Sequence, residues 1–159
     1  MPDFSIEKEY NKNVVGIDEV GRGPLAGPVI SSAVIFYDHE MNNDSFKLIN
    51  DSKKLSKINR IKIFKLIYQL QETKKIKFSL GMASVKEIDE LNILEATKLS
   101  MKRAVIKLNR PPLPLIIDGN IDLKLRNYPS HGIIKGDQKS LSIATASIIA
   151  KVHRDRYMQ

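Results

Sequence analysis

The sequence contains no cysteine and no tryptophan among its 159 residues, and it contains only three histidines. Without cysteine there is neither a disulfide framework nor a thiolate zinc site. The histidines lack the spacing of metal ligands, and we interpret His39, His131 and His153 as surface or packing residues. The absence of cysteine is typical of a reducing compartment, so we expect a cytoplasmic protein.

Long apolar runs are also missing, so the sequence predicts no transmembrane helix and no membrane partner. The first residues, MPDFSIEKEYNKN, are polar and unlike a signal peptide. The length suits one domain with a substantial core, and 42% of the residues are hydrophobic. We therefore expect a single monomeric domain over 1–159.

Positive charge is in excess, with 26 Lys and Arg against 18 Asp and Glu, and it is unevenly distributed. Residues 1–51 contain 9 acids and 4 bases, whereas the segment from Lys53 to Lys77 contains nine bases and one acid. Such a basic segment is typical of a surface that binds a polyanion. A solvated helix face in a lysine-rich protein is the alternative, and charge alone does not separate the two.

Apolar periodicity and turn residues predict the order β-β-α-β-α-β-β-α. Ser56 is a suitable N-cap for one helix, and Ser84 with Glu87 forms a capping box for the next. This order indicates an α/β domain with a mixed sheet, an early hairpin and later crossovers. The strands are predicted at 14–17, 29–37, 76–83, 113–117 and 132–135, and the helices at 57–71, 85–108 (with a bend near residue 89) and 140–157.

Acidic residues beside glycine follow three of the predicted strands. Asp18 and Glu19 end the first, Asp118 precedes Gly119, and Asp137 follows Gly136. Because sites in open α/β sheets form beyond strand ends, the four carboxylates suggest an oxygen-ligand site for Mg2+ or Mn2+. Taken alone, Asp118-Gly119 and Gly136-Asp137 are each more typical of a turn with a solvated acid.

The glycine-rich segment after the first strand adds a second indication. Glycine allows the backbone to approach a phosphate closely, and the guanidinium of Arg22 is a forked donor for it. Adjacent residues on a regular strand point to opposite faces. Asp18 and Glu19 are therefore expected to share a site only if the strand ends or distorts there, which Gly21 would permit.

Six segments, in order, resemble bacterial type 2 ribonuclease H (ribonuclease HII), and the resemblance extends from about Val14 to the last residue. The matching segments are GIDEVGRGPLAGPV (16–29), NDSKKLS (50–56), EIDELNILEATKLSMKRA (87–104), IDGN (117–120), KGDQKS (135–140) and ATASIIAKVHRDR (144–156). The resemblance implies a ribonuclease H-like mixed sheet flanked by helices. It also implies metal-dependent cleavage of the RNA strand of RNA–DNA hybrids, and nicking 5′ of ribonucleotides embedded in duplex DNA during repair and replication.

The same resemblance assigns roles to individual residues. It implies a two-metal site for Mg2+ or Mn2+ and a phosphate contact at Lys53. Its glycine-arginine-glycine element, which senses the ribose 2′-hydroxyl, corresponds to Gly21, Arg22 and Gly23. The metal-binding and catalytic acids correspond to Asp18, Glu19, Asp118 and Asp137.

One departure from the family concerns the C-terminal end. Family members continue past the last helix into a further helical region and a tyrosine that stacks at the junction nucleotide. We therefore expect a catalytic domain that is truncated at its C-terminal end. The alternative is a catalytically weak nucleic-acid-binding remnant of the same fold. A transposase or resolvase type fits less well, because it leaves the Gly-Arg-Gly and Asp-Ser-Lys-Lys elements unexplained.

Overall fold

A computed structural model describes residues 1–10, 13–23, 26–41, 46–47, 49, 55–108 and 110–159. Within these residues, five strands form one sheet in the order β3-β2-β1-β4-β5. The strands are β1 (Val15–Val20), β2 (Val29–Phe36), β3 (Ile76–Ala83), β4 (Leu115–Asp118) and β5 (Ser130–Ile133).

The sheet is mixed, as the sequence predicts. β1 pairs antiparallel with β2, and β2 pairs antiparallel with β3. β1 pairs parallel with β4, and β4 with β5. In register, Ile17 lies opposite Ile117, and Asp118 lies opposite Ile133. The carboxyl ends of β1, β4 and β5 therefore meet at one edge of the sheet.

Four α-helices flank the sheet, and local capping explains where two of them begin. The Ser56 hydroxyl accepts a hydrogen bond from the N–H of Asn59 at the start of the first helix. Ser84 and Glu87 form the reciprocal capping box that the sequence predicts. The helices are α1 (Lys57–Glu72), α2 (Val85–Leu91), α3 (Ile93–Lys107) and α4 (Leu141–Tyr157).

The continuous helix predicted over 85–108 is wrong, because α2 and α3 are separate helices. Asn92 lies between them with a φ of 79°, which ends α2, and its side chain accepts a hydrogen bond from the N–H of Glu95 to begin α3. The predicted bend near Asp89 therefore lies three residues too early. The fifth strand also begins and ends earlier than predicted, since Lys135 is left-handed, with a φ of 54°.

The core has one layer on each face of the sheet. The side chains of β2 alternate between the layers: Val34 and Phe36 pack toward α1 and α4, while Ala33 and Ile35 pack toward α3. All eight residues of β2 are buried, as expected for a strand with helices on both faces. No helix among the described residues is long and apolar enough to cross a membrane.

Helix α4 lies directly against β1 because Gly16 provides no side chain there. A Cβ on Gly16 would lie 2.6 Å from the Cβ of Ser142 and 2.8 Å from the N of Ile143. The small residues of α4 are buried, which is the close packing that its composition predicts. This contact places the following turns of α4 beside the end of β1.

Candidate active site

Three of the four predicted acids line one pocket. The parallel pairing of β1 with β4 brings Asp18 and Asp118 to the same edge of the sheet. Both line a cavity of about 340 Å3, together with Glu19. The rest of the described lining consists of Val20, Arg60, Ser147 and Lys151.

Asp137 lies next to this pocket in the 3-10 turn Gly136–Gln138 between β5 and α4. Its backbone N–H donates a hydrogen bond to Oδ1 of Asp118 at 3.2 Å. Its side chain is buried, and its carboxylate is close enough to act on the charge of Asp18. The described lining does not include Asp137, so the structure brings it beside the other three acids rather than into the same cavity.

The condition expected for a site shared by Asp18 and Glu19 does not hold. β1 continues through Val20 and neither ends nor distorts at the pair. Both side chains nevertheless line the pocket. The N–H of Glu19 donates a hydrogen bond to Oδ1 of Asp18 at 2.7 Å, which joins the two residues at this end.

The Asp18 carboxylate is the most perturbed group of the site. Burial raises its pKa well above the usual value, and the charges of Glu19 and Asp118 raise it further. The hydrogen bond from the Glu19 N–H opposes this shift, and the charge of Asp137 adds to it. Strong pKa shifts that combine burial with like charges in a cleft are typical of functional sites.

Opposing influences act on the pKa of the Glu19 carboxyl. Burial raises its pKa, while Arg22 opposes the shift through an ion pair of 3.8 Å between Nη1 and Oε1. Its other carboxylate oxygen, Oε2, is buried and has no hydrogen-bond partner among the described residues. An unpaired buried carboxylate oxygen is costly, so Glu19 requires either a proton or a cation.

The donor set of the pocket fits a hard divalent cation. Its acids provide carboxylate oxygens, which Mg2+ and Mn2+ prefer, and the unpaired oxygen of Glu19 is available. No group of three or more His, Cys, Asp or Glu side chains in the described part of the chain is already arranged around a metal position. Mg2+ is usually held in proteins by one or two carboxylates, with water and substrate phosphate completing the shell.

Two basic side chains that the sequence did not mark as part of the site also line this pocket. Arg60 comes from the first turn of α1, and Lys151 comes from α4. Asp155 holds both: its Oδ1 lies 3.0 Å from Nζ of Lys151, and its Oδ2 lies 3.5 Å from Nη2 of Arg60. The i, i+4 spacing of Lys151 and Asp155 was a visible signal, but such pairs also occur on ordinary helix surfaces.

Among the described bases of the predicted basic segment, those at the start of α1 reach the site. Arg60 lines the carboxylate pocket, and Lys57 lines a neighbouring depression of about 500 Å3 with Ala26 and Lys151. Lys74 and Lys75 follow the opposite end of α1, about 24 Å away at the usual rise per residue. Lys53, the predicted phosphate contact, lies outside the described residues.

The glycine-rich connection begins beside the pocket. Gly21 has a φ of +103°, a conformation that favours glycine, and the side chain of Arg22 is 40% exposed. No atom lies within 4 Å of a Cβ placed on Gly23, so open space surrounds it. The three residues predicted to sense a ribose are thus adjacent to the acids, and two of them face solvent.

The three histidines lie away from the carboxylates, and each packs against a ring. His39 stacks on Phe4, His131 lies against Tyr10, and His153 meets the edge of Phe64. The described lining of the carboxylate pocket contains none of them.

Comparison with known proteins identifies similar sequences over almost the whole chain. A sequence model of the family described as Ribonuclease HII matches residues 15–159. A ribonuclease HII of Wolbachia pipientis is 50% identical over 158 residues, which cover 99% of this chain and 76% of the relative. One from Ehrlichia ruminantium is 50% identical over 170 residues and is also 76% covered.

Solved structures show the same fold. Ribonuclease H2 from Pyrococcus horikoshii superposes with a TM-score of 0.72 at 27% identity, covering 92% of this chain and 74% of that one. The ribonuclease HII of Archaeoglobus fulgidus, solved in a complex with PCNA, gives 0.71 at 28% identity with the same coverage. A ribonuclease HIII solved with Mn2+ gives 0.72 at 21% identity and covers 92% of this chain and 53% of that one, which indicates the fold alone.

Proposed function

The chain belongs to the ribonuclease HII family and is by that membership a ribonuclease of the H type, and we propose that it is a metal-dependent endonuclease that cleaves the RNA strand of RNA–DNA hybrids and nicks duplex DNA 5′ of embedded ribonucleotides. The observation that carries the proposal is one pocket whose lining includes both the acids Asp18, Glu19 and Asp118 and the bases Arg60 and Lys151. Acids that need a cation and bases that suit a phosphate are the two halves of a phosphodiester site.

The residues that would hold the metal are Asp18, Glu19, Asp118 and Asp137. Support comes from their oxygen donors, the buried unpaired oxygen of Glu19 and the mutual repulsion at Asp18. When bound, Mg2+ or Mn2+ supplies an activated water and stabilises the leaving oxygen of the phosphodiester. The carboxylates themselves orient the site and keep it negative until a cation enters.

The protein cations would bind and orient the scissile strand. Lys151 and Arg60 carry fixed positive charge into the pocket, and Asp155 limits their movement through its two carboxylate oxygens. A backbone phosphate placed between these bases would lie against the acids. Lys53 would add a further phosphate contact, as the family resemblance implies.

Recognition of the ribose would come from the glycine-rich connection. The open space around Gly23 leaves room for the close approach of a nucleotide, and Arg22 contributes a donor. The 2′-hydroxyl is the group that distinguishes RNA from DNA at a single nucleotide. We assign the sensing role to these three residues and the removal of ribonucleotides from DNA to the protein as its cellular task.

The experiment is a comparison of three labelled duplexes with Mg2+ and, separately, Mn2+. The duplexes are an RNA–DNA hybrid, a DNA duplex with one ribonucleotide, and the all-DNA duplex of the same sequence. We expect cleavage of the first two, with the product of the second ending on the 5′ side of the ribonucleotide. Binding without cleavage by the folded chain would instead identify a nucleic-acid-binding remnant. Light scattering tests whether residues 1–159 act as one monomeric catalytic domain.

A further inference from the structure

A buried arginine supports the glycine-rich connection from below. Arg154 lies near the end of α4 and is only 6% exposed. Its Nε donates a hydrogen bond to the carbonyl of Pro28 at 3.0 Å, and its Nη2 donates to the carbonyl of Ala26 at 3.1 Å. One guanidinium therefore fixes two backbone carbonyls of the connection between β1 and β2.

The charge of Arg154 is compensated in an unusual way. None of the ion pairs found among the described residues includes Arg154. Asp155, its neighbour in the chain, is occupied with Arg60 and Lys151. Burying a charge without an acid is expensive, and in the described part of the chain the groups that hold the guanidinium are the two backbone carbonyls. A costly arrangement of this kind, next to a site, indicates a positional requirement.

Two glycines fit around the same guanidinium. A Cβ on Gly21 would lie 2.6 Å from Nε of Arg154, and a Cβ on Gly27 would lie 3.2 Å from its Nη2. Both glycines also have positive φ, of +103° and +116°. The connection thus passes close to Arg154 at both of its ends, and the backbone conformation favours glycine at each end.

From these contacts we infer that Arg154 is a positioning residue for ribose discrimination. It fixes the position and orientation of the connection that presents Gly21, Arg22 and Gly23 to the substrate. The inference rests on the proposed role of those three residues. The side chain of Arg154 contacts the connection, and we do not expect it to contact the substrate. Its loss would let the connection shift while the carboxylate pocket keeps its lining.

The chain provides a matched control two residues away. Arg156 is exposed and lies over the ring of Phe64, with 5.2 Å from its Cζ to the ring centroid. It belongs to the same end of α4, yet it makes no hydrogen bond to the described residues of the connection. Arg156→Lys therefore makes the same chemical change on the same helix, losing the fork and keeping the charge, without disturbing the support.

The experiment measures binding without divalent metal, so that no cleavage occurs, to a DNA duplex with one ribonucleotide and to the matching all-DNA duplex. For the wild type we expect tighter binding to the ribonucleotide duplex. Arg154→Lys, which keeps the charge and the stem but loses the fork, should reduce this preference about tenfold while changing the dissociation constant for the all-DNA duplex less than twofold. Arg156→Lys should change the dissociation constants of both duplexes by less than about twofold and leave the preference unchanged.

Gly27→Ala gives an independent route to the same displacement, because its added methyl group would push on Arg154 and on Met158. It should lower the preference in the same direction. Thermal unfolding verifies that each variant is folded. A preference that stays at the wild-type value in folded Arg154→Lys and Gly27→Ala, or an equal loss on both duplexes, overturns the inference. A wild type without any preference would instead contradict the proposed ribose sensing.

Discussion

The backbone N–H of Asp137 donates a hydrogen bond to Oδ1 of Asp118 at 3.2 Å. This bond joins the 3-10 turn Gly136–Gln138 to the end of β4, and it brings together two acids that are 19 residues apart. Gly136 makes the approach possible, since a Cβ there would lie 2.7 Å from Cδ1 of Ile143. The positions of the acids at this edge therefore depend on a turn as much as on the strands.

The N-terminal segment holds the residues that follow this turn, and this leads to a prediction about Glu7. Glu7 is fully buried, and its Oε2 accepts hydrogen bonds from the N–H of Ser142 at 2.9 Å and the hydroxyl of Ser140 at 3.0 Å. Glu7→Ala should lower the free energy of unfolding by about 2–3 kcal/mol, as expected for charge-assisted bonds at a helix start. Denaturant unfolding measures the change. The exposed Glu9→Ala should change it by less than about 0.5 kcal/mol, and an equal effect of both variants would contradict the role of Glu7.

Replacing Asp18 by asparagine should stabilise the metal-free protein and weaken its stabilisation by a divalent ion. Asp18 is buried beside like charges, so Asp18→Asn removes repulsion and should raise the free energy of unfolding of the metal-free protein by on the order of 1–3 kcal/mol. The same variant should show a smaller rise in melting temperature on addition of Mn2+, because one proposed ligand is lost. Calorimetry with and without the ion checks both effects. A destabilised variant with an unchanged response to the ion would contradict the assignment.

The ion pair of Glu87 with Arg103 predicts that the free energy of unfolding depends on pH. Two hydrogen bonds from Arg103, at 2.7 and 2.6 Å, lower the pKa of Glu87 from 4.5 to about 2. A lowered carboxylate pKa contributes stability above pH 4.5 that is lost as the pH falls toward 2. Glu87→Gln should therefore be less stable than the wild type at pH 7 and equally stable near pH 2.

Urea unfolding at several pH values tests this prediction. Glu90→Gln is the control, because its ion pair with Lys86 spans 3.9 Å between exposed side chains. It should follow the wild-type curve throughout. A constant difference between Glu87→Gln and the wild type at all pH values would show that the charge of Glu87 is not responsible.

Lys151 should contribute one phosphate contact. Lys151→Ala should weaken binding to hybrid and DNA duplexes alike and should reduce the slope of log affinity against log salt by about one. Titrations at several salt concentrations measure the slope. Lys86→Ala, on the exposed surface of α2, removes the same charge far along the chain and should leave the slope unchanged. Equal slopes for the wild type and Lys151→Ala would contradict a phosphate contact at Lys151.

Much of the fold follows from local sequence signals. Ser56 and the apolar spacing predict α1 to within one residue of its observed end, and Ser84 with Glu87 predicts the start of α2. The break at Asn92 is missed because it depends on a positive φ, which asparagine tolerates but does not require. The end of β5 is misplaced for the same reason, since Lys135 adopts the left-handed region under the tertiary constraints of the turn.

The site is predictable in part, because the sequence indicates its acids but not its bases. Acids beside glycine at strand ends are conspicuous, because a carboxylate there has a cost that the sequence alone reveals. Arg60, Lys151 and Arg154 resemble any other bases of a lysine-rich protein, since periodicity cannot distinguish a buried guanidinium from an exposed one. Their positions depend on the packing of α4 against Gly16 and on the contact of Asp155 with Arg60, both of which are tertiary.

The most direct test of the account compares the wild type with Asp18→Asn on a DNA duplex that carries one ribonucleotide, with Mg2+, with Mn2+ and with a chelator. We expect a single nick 5′ of the ribonucleotide that requires a divalent ion. The rate of nicking should fall at least about a hundredfold in the folded variant, equivalent to roughly 2.7 kcal/mol of transition-state stabilisation. Equal nicking by the wild type and the variant, or nicking that persists in the chelator, would contradict a metal site built on Asp18.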